Sequence, residues 1–188
     1  MSGVLRPYRG IMPKIHETAF VAENAIIIGD VEIGPHASIW YGCVIRGDVN
    51  AIRIGAETNI QDGSVVHATH DRNGDYRQTG GGVPTLIGEG VTVGHMALLH
   101  ACEVQSRAFI GMRSVVMDRA VVESGAMVAA GAVVTPGKRV PGGELWSGTP
   151  AAFMRSLRPE EVDMIPYLRD NYLQLAASYQ DSGSSEGS

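Results

Sequence analysis

Residues 104–140 read VQSRAFIGMRSVVMDRAVVESGAMVAAGAVVTPGKRV, and an aliphatic side chain returns at every sixth position: Val104, Ile110, Val116, Val122, Val128, Val134 and Val140. Two residues before five of these stands a small one, Ala108, Ser114, Ala120, Ala126 and Ala132. A period of six cannot hold one face of a 3.6-residue α-helix. In extended chain, positions i and i−2 share a face, so the aliphatic and the small residue both point inward. The series continues toward the N-terminus through Ile87, Val93 and Leu99, through Ile54, Ile60 and Val66, and through Ile15, Val21, Ile27, Ile33, Ile39 and Ile45. Three hexapeptides close one triangular coil of about 18 residues, and coils stack about 4.8 Å apart as parallel strands. The nineteen aliphatic sites predict about six coils, a prism roughly 30 Å long. The expected fold is all-β, a left-handed parallel β-helix over residues 10–150 with a C-terminal α-helix.

Two places break the register. A three-residue slip falls around Ala51–Arg53, and the stretch DRNGDYRQTGGGV, about residues 71–83, reads as a loop inserted into a coil. From Pro159 the pattern becomes PEEVDMIPYLRDNYLQLAASYQ, which predicts a helical segment over residues 157–180. Pro166 is expected to end or kink that helix, with a second piece presenting Leu168, Tyr172, Leu175 and Tyr179 as an apolar stripe. The tail DSGSSEGS, residues 181–188, is expected to be disordered.

Composition narrows the class. The chain has 188 residues, 24 Gly, 9 Pro, only 6% aromatics and 44% hydrophobic residues, which excludes a disordered polymer and suits a core of small and branched side chains. A net charge of −5 argues against a nucleic-acid or anionic-membrane surface. No apolar run approaches the roughly 18 residues of a membrane span. Met1–Gly10 lacks the apolar core of a signal peptide, so a soluble cytoplasmic protein is the expectation. Cys43 and Cys102 make no disulfide framework. Cys43 falls in a small inward slot.

The histidines gain meaning in the frame of the coils. His67 follows Val66 and His100 follows Leu99, so both occupy the outward position after an aliphatic site. Their separation of 33 is one coil of 18 plus a 15-residue insertion, which stacks His100 directly above His67. Arg46 lies 21 before His67, one coil plus the three-residue slip, and so stacks beneath it. Asp62 lies 33 before His95 and stacks with that residue. Two imidazoles on adjacent strands can converge on one metal ion. His95 sits near the previous corner, too far to join them within one chain, and a homotrimer in which a neighbour supplies His95 is the simplest solution. Three histidines with a fourth position open to water is the catalytic pattern for zinc, whose bound water ionises near pH 7 to give a hydroxide nucleophile.

At these residues the sequence resembles the gamma-class carbonic anhydrase-like family of hexapeptide-repeat proteins. The segments are VIRGDVNAIRIGAETNIQDGSVVHATH and IGEGVTVGHMALLHAC, with WSGTPAAFMR at residues 146–155. The resemblance implies His67 and His100 from one subunit and His95 from the next as ligands of Zn2+, with Fe2+ or Co2+ as other ions accepted by three imidazoles. It implies that Gln61 orients the water or hydroxide, with Asp62 beside it, and that Arg46 and Asp48 form an inter-subunit ion pair. The implied reaction is reversible hydration of CO2 to bicarbonate at a homotrimer interface. The family's prototype has acidic side chains to carry protons near the metal. Here Val49 follows Asp48, and Ala68, Thr69 and His70 follow His67, so both glutamates are missing. His70 is the candidate proton shuttle, and Tyr167 or Tyr172 the candidate source of a hydroxyl near the metal. Asn59 reads as a corner residue tolerant of positive φ. Two other readings share the prism. One is a trimer whose metal is non-catalytic or weakly active. The other is an acyltransferase, which needs one interface histidine and a coenzyme A groove.

Overall fold

The computed structural model describes residues 3–184. It is a left-handed parallel β-helix carrying a C-terminal α-helix. Among the described residues, seven parallel strands stack on each of three faces, and Ala152–Ser156 adds an eighth, antiparallel strand to the third. The sequence reading expected about six coils. The additional sites are Leu5, paired with Ile27, and Trp146, paired with Val128, which complete the first and last coils. Leu5 lies outside the hexapeptide register and Trp146 is aromatic rather than aliphatic. Both nevertheless pack on the central core.

That core is three columns of branched side chains. Ile27, Ile45, Val66, Leu99, Val116 and Val134 form one of them, all fully buried. The small slots Ala25, Ala37, Cys43, Ala108, Ala120, Ala126 and Ala132 are equally buried, and the same inward slot is taken by Val31, Ile52 and Val91 in other coils. Burial pushes the Cys43 thiol up to about 11 and the Cys102 thiol up to about 12. Both stay protonated and act as small apolar groups.

Both register breaks have a structural form. Strand Val44–Ile54 pairs with Ile26–Ile33, and the register shifts because Gly29 faces Gly47 whereas Val31 faces Ile52. The three extra residues therefore bulge out between Gly47 and Ile52. The inserted loop is pinched at its base by paired hydrogen bonds between Thr69 and Val83, each 3.0 Å. It contains one helical turn, Tyr76–Thr79, capped by Asp75. The Tyr76 hydroxyl donates to Asp30 Oδ2 at 2.6 Å, which straps the loop to the coil below.

The C-terminal element corrects two expectations. It is a single helix, Pro159–Ser184, uninterrupted at Pro166 and continuing four residues into the tail expected to be disordered. Residues 185–188 of that tail lie outside the described residues. Packing on both sides of Pro166 overrides its missing N–H. Ile165 is buried against Met127 and Leu145. Tyr172 and Tyr179 meet Trp40 edge-on, at 5.4 and 5.5 Å, and Ala176 is buried in the same cluster. Leu175 of the expected stripe is instead exposed. At the N-terminus Glu161 accepts from the Arg158 backbone N–H at 2.9 Å, half of a capping box. Arg155 clamps the same carboxylate through two hydrogen bonds, 2.6 and 2.7 Å. Among the described residues, no helix is long and apolar enough to cross a membrane.

Candidate metal centre

His67 and His100 pair directly in register on neighbouring strands. Their rings lie 5.2 Å apart between centroids, inclined at 48°. Both sit one residue past a fully buried aliphatic side chain, so the pleat turns them outward. Arg46 follows Ile45 in the coil beneath, where Ile45 pairs with Val66. The bulge places Asp48 between Arg46 and His67. Asp48 Oδ2 lies 2.5 Å from Arg46 Nη1, and its Oδ1 lies 3.0 Å from His67 Nε2. The Arg46–Asp48 pair thus forms within one chain. Burial would raise the Asp48 carboxyl, but hydrogen bonds from His67 and Arg46 outweigh that and hold it below its ordinary value. His67 is lowered by burial, with Asp48 opposing. The neutral imidazole, the form that ligates a metal, is therefore favoured.

The other two histidines repeat the arrangement. His95 Nδ1 lies 2.8 Å from Asp62 Oδ2 at the next corner, the stacking expected from the 33-residue spacing. His100 Nδ1 lies 2.7 Å from Asp118 Oδ1. A ring nitrogen that faces a carboxylate carries the proton, and the opposite nitrogen then carries the lone pair. Nδ1 of His67 and Nε2 of His95 and His100 are thereby left as donors to a cation. Three imidazoles, each backed by a carboxylate, fit a zinc, iron or cobalt ion. Among the described residues of one chain, no three metal-binding side chains come together.

The remaining candidates divide. Gln61 is buried and its amide N–H donates to Asn59 Oδ1 at 3.0 Å. Asn59 is not a corner residue: it lies in strand Asn59–Ile60 and bonds Thr92 Oγ1 at 3.0 Å, while the positive φ falls on Glu57. His70 is exposed and lines a cleft of about 200 Å³ together with Asp48, Val49, Tyr76 and Arg77. Tyr167 is 68% exposed and pairs with none of these residues within one chain. Tyr172 is the tyrosine nearer the site, its hydroxyl raised by burial and by the charge of Asp62.

Sequence reasoning missed Asn50 and Asp118. Asn50 is buried in the bulge and donates to the carbonyls of Thr69 and Gly81, at 3.2 and 3.1 Å, joining the bulge to the base of the loop. It also missed the steric role of Gly47, whose neighbours carry Arg46 and Asp48. A Cβ there would meet the Asp30 carbonyl oxygen at 2.5 Å and its carbon at 2.8 Å. Because those atoms are backbone, Gly47→Ala must move one of two paired strands, at a cost of about 3 kcal/mol. Differential scanning calorimetry should show a clearly lower Tm. An unchanged Tm would contradict the close approach.

The hexapeptide repeat model described as bacterial transferase hexapeptide (six repeats) matches residues 12–47. Gamma carbonic anhydrase 2, mitochondrial, of Arabidopsis thaliana is 48% identical over 172 residues, covering 92% of this chain and 60% of that relative. The chain thus spans about 60% of the length of the Arabidopsis mitochondrial relatives it matches. Protein YrdA of Escherichia coli is 46% identical over 97% of both chains. A carbonic anhydrase of Geobacillus kaustophilus is 39% identical, covering 94% of this chain and 91% of its own. Among solved structures, a hexapeptide transferase family protein from Anaplasma phagocytophilum superposes with a TM-score of 0.85 at 49% identity, covering 95% of this chain and 99% of that one. A putative acetyltransferase from Bacillus cereus gives a TM-score of 0.87 at 35% identity, covering 96% and 99%.

Proposed function

This chain belongs to the gamma-class carbonic anhydrase-like family of hexapeptide-repeat proteins, and we propose that it catalyses the reversible hydration of CO2 to bicarbonate at metal sites shared between subunits of a homotrimer. The observation that supports this most is the carboxylate behind each of three histidines, which leaves each ring one nitrogen as a donor. His67 and His100 supply two donors from one subunit, and His95 of a neighbouring subunit supplies the third. A zinc, iron or cobalt ion held there supplies the Lewis acidity that brings the ionisation of water near neutral pH.

The chain's own residues then divide the work. Asp48, Asp62 and Asp118 keep the protons on the rear nitrogens of the rings. Gln61, locked by Asn59, presents its amide toward the reacting water. The overall change, CO2 + H2O → HCO3− + H+, creates an anion and a proton. The Arg46 guanidinium favours the anion electrostatically. His70, exposed and lining the same cleft as Asp48, passes the proton to solvent.

Stopped-flow measurement of CO2 hydration on protein of known metal content tests this reading. Turnover above the buffer rate, proportional to bound metal, is expected. A fully metallated trimer without turnover would overturn the anhydrase reading and leave a metal-binding interface. The missing carboxylates at Val49 and in the segment Ala68, Thr69, His70 favour that metal-binding alternative over an acyltransferase.

A further inference from the structure

Asp118 stands outside the residues that the sequence assigned to the site, yet both its carboxylate oxygens are engaged. Oδ1 lies 2.7 Å from His100 Nδ1, and Oδ2 accepts from Thr69 Oγ1 at 2.5 Å. Three consecutive coils meet at this group. His100 comes from strand Leu98–His100, Thr69 from the segment just past strand Val65–His67, and Asp118 from the corner after strand Val115–Val116. Thr69 is itself fixed, because its backbone is bridged to Val83 and its carbonyl accepts from Asn50. Asp118 therefore cannot turn away from His100 without releasing Thr69. Side chains of Asp118 and His100 are about one-third exposed, 32% and 33%, so the pair stands at the edge of the prism.

We propose that Asp118, braced by Thr69, is the positioning residue that fixes the ring of His100 and keeps its proton on Nδ1, so that Nε2 is the nitrogen offered to the metal. The inference rests on the metal reading above and deepens it. A carboxylate in this place restricts ring rotation, selects the tautomer and makes the ligand nitrogen more basic. Thr69 supplies the geometry: with one carboxylate oxygen tied to the coil of His67, the other lies at a set height above it. The two ligands of one subunit are thus held relative to each other by a side-chain strut as well as by the backbone. A corner residue serving its turn alone would need neither bond.

The test is metal affinity, measured by chelator competition with Zn2+ and Co2+ on the intact trimer, together with the visible spectrum of the Co2+ form. Asp118→Ala should weaken binding about 10- to 100-fold and change the Co2+ bands. Asp118→Asn keeps an acceptor without the charge and should fall between the two. Thr69→Val should weaken affinity in the same direction by a smaller factor and serves if Asp118→Ala does not fold. Unchanged affinity and spectrum in all three variants would overturn the proposal. His100→Ala separates this from failure of the underlying reading. If His100→Ala abolishes metal binding while the Asp118 variants bind normally, the positioning role alone is wrong. If His100→Ala also binds normally, the metal reading itself has failed.

Discussion

Alanine in place of His67 is expected to remove CO2 hydration, with kcat/KM falling at least ~1,000-fold toward the buffer rate. His67 stands beside His100 in register, and its rear nitrogen is held by Asp48, itself held by Arg46. On the proposed reading, removing the ring takes away one of the two donors that a single subunit supplies. Metal content by atomic absorption should fall in parallel, while the Tm of the metal-free protein should move little, because His67 is outside the core. Full activity in this variant would refute the assignment.

A site shared between subunits, as proposed, has its own signature. Neither His67→Ala nor His95→Ala alone should bind metal normally. When the two variants are unfolded, mixed in equal amounts and reassembled, each mixed trimer regains one complete site. That His67 and His95 then come from unsubstituted positions on different subunits. Random assembly makes three trimers in four mixed, so about a quarter of wild-type activity should return. No recovery from a properly reassembled mixture would show that the donors do not come from different subunits.

Ile45→Ala is expected to give the largest loss of stability. Ile45 is fully buried between Ile27 and Val66 in the first column, one residue before Arg46. The coils above and below are held at strand spacing by their backbone hydrogen bonds, so the column cannot collapse into the gap. The cost is about 2–5 kcal/mol, which lowers Tm by about 10 °C in a chain of this size. Ile45→Val should cost about 1 kcal/mol. Comparison must be made at one protein concentration, since the proposed assembly would contribute to the apparent stability. A Tm within 2 °C of wild type, roughly the change expected from under 1 kcal/mol, would contradict the packing of this column.

Much of the fold was legible because a β-helix repeats in sequence what it stacks in space. Val104 to Val140 fall six apart because each is one side of a triangle, and burial selects the same kind of residue each time. The stacking of His67 with His100 and of Asp62 with His95 followed from counting whole coils past the insertions. Counting failed where the decisive contact leaves the register. Val116 pairs with Leu99, so the coil places Met117, not Asp118, over His100. Asp118 reaches His100 only because its side chain crosses the corner. Asn50 was equally hidden: in a bulge no periodicity says which of the extra residues turns inward. Asn59 was misplaced because corner chemistry alone does not reveal which residue takes positive φ.

Local rules were also overridden in the helix. Pro166 would break an isolated helix. Ile165 on one side, and Tyr172, Ala176 and Tyr179 on the other, pack on the prism and hold the chain helical through it. The sequence by itself determined the prism, its inward columns and the faces on which the histidines stand, because these follow from strand alternation and a fixed number of residues per coil. Only the tertiary structure decided which nitrogen of each histidine faces a carboxylate, how the inserted loop is strapped down, and that one helix runs past its proline. Those features depend on side chains reaching across corners and between coils, a distance that residue spacing does not encode.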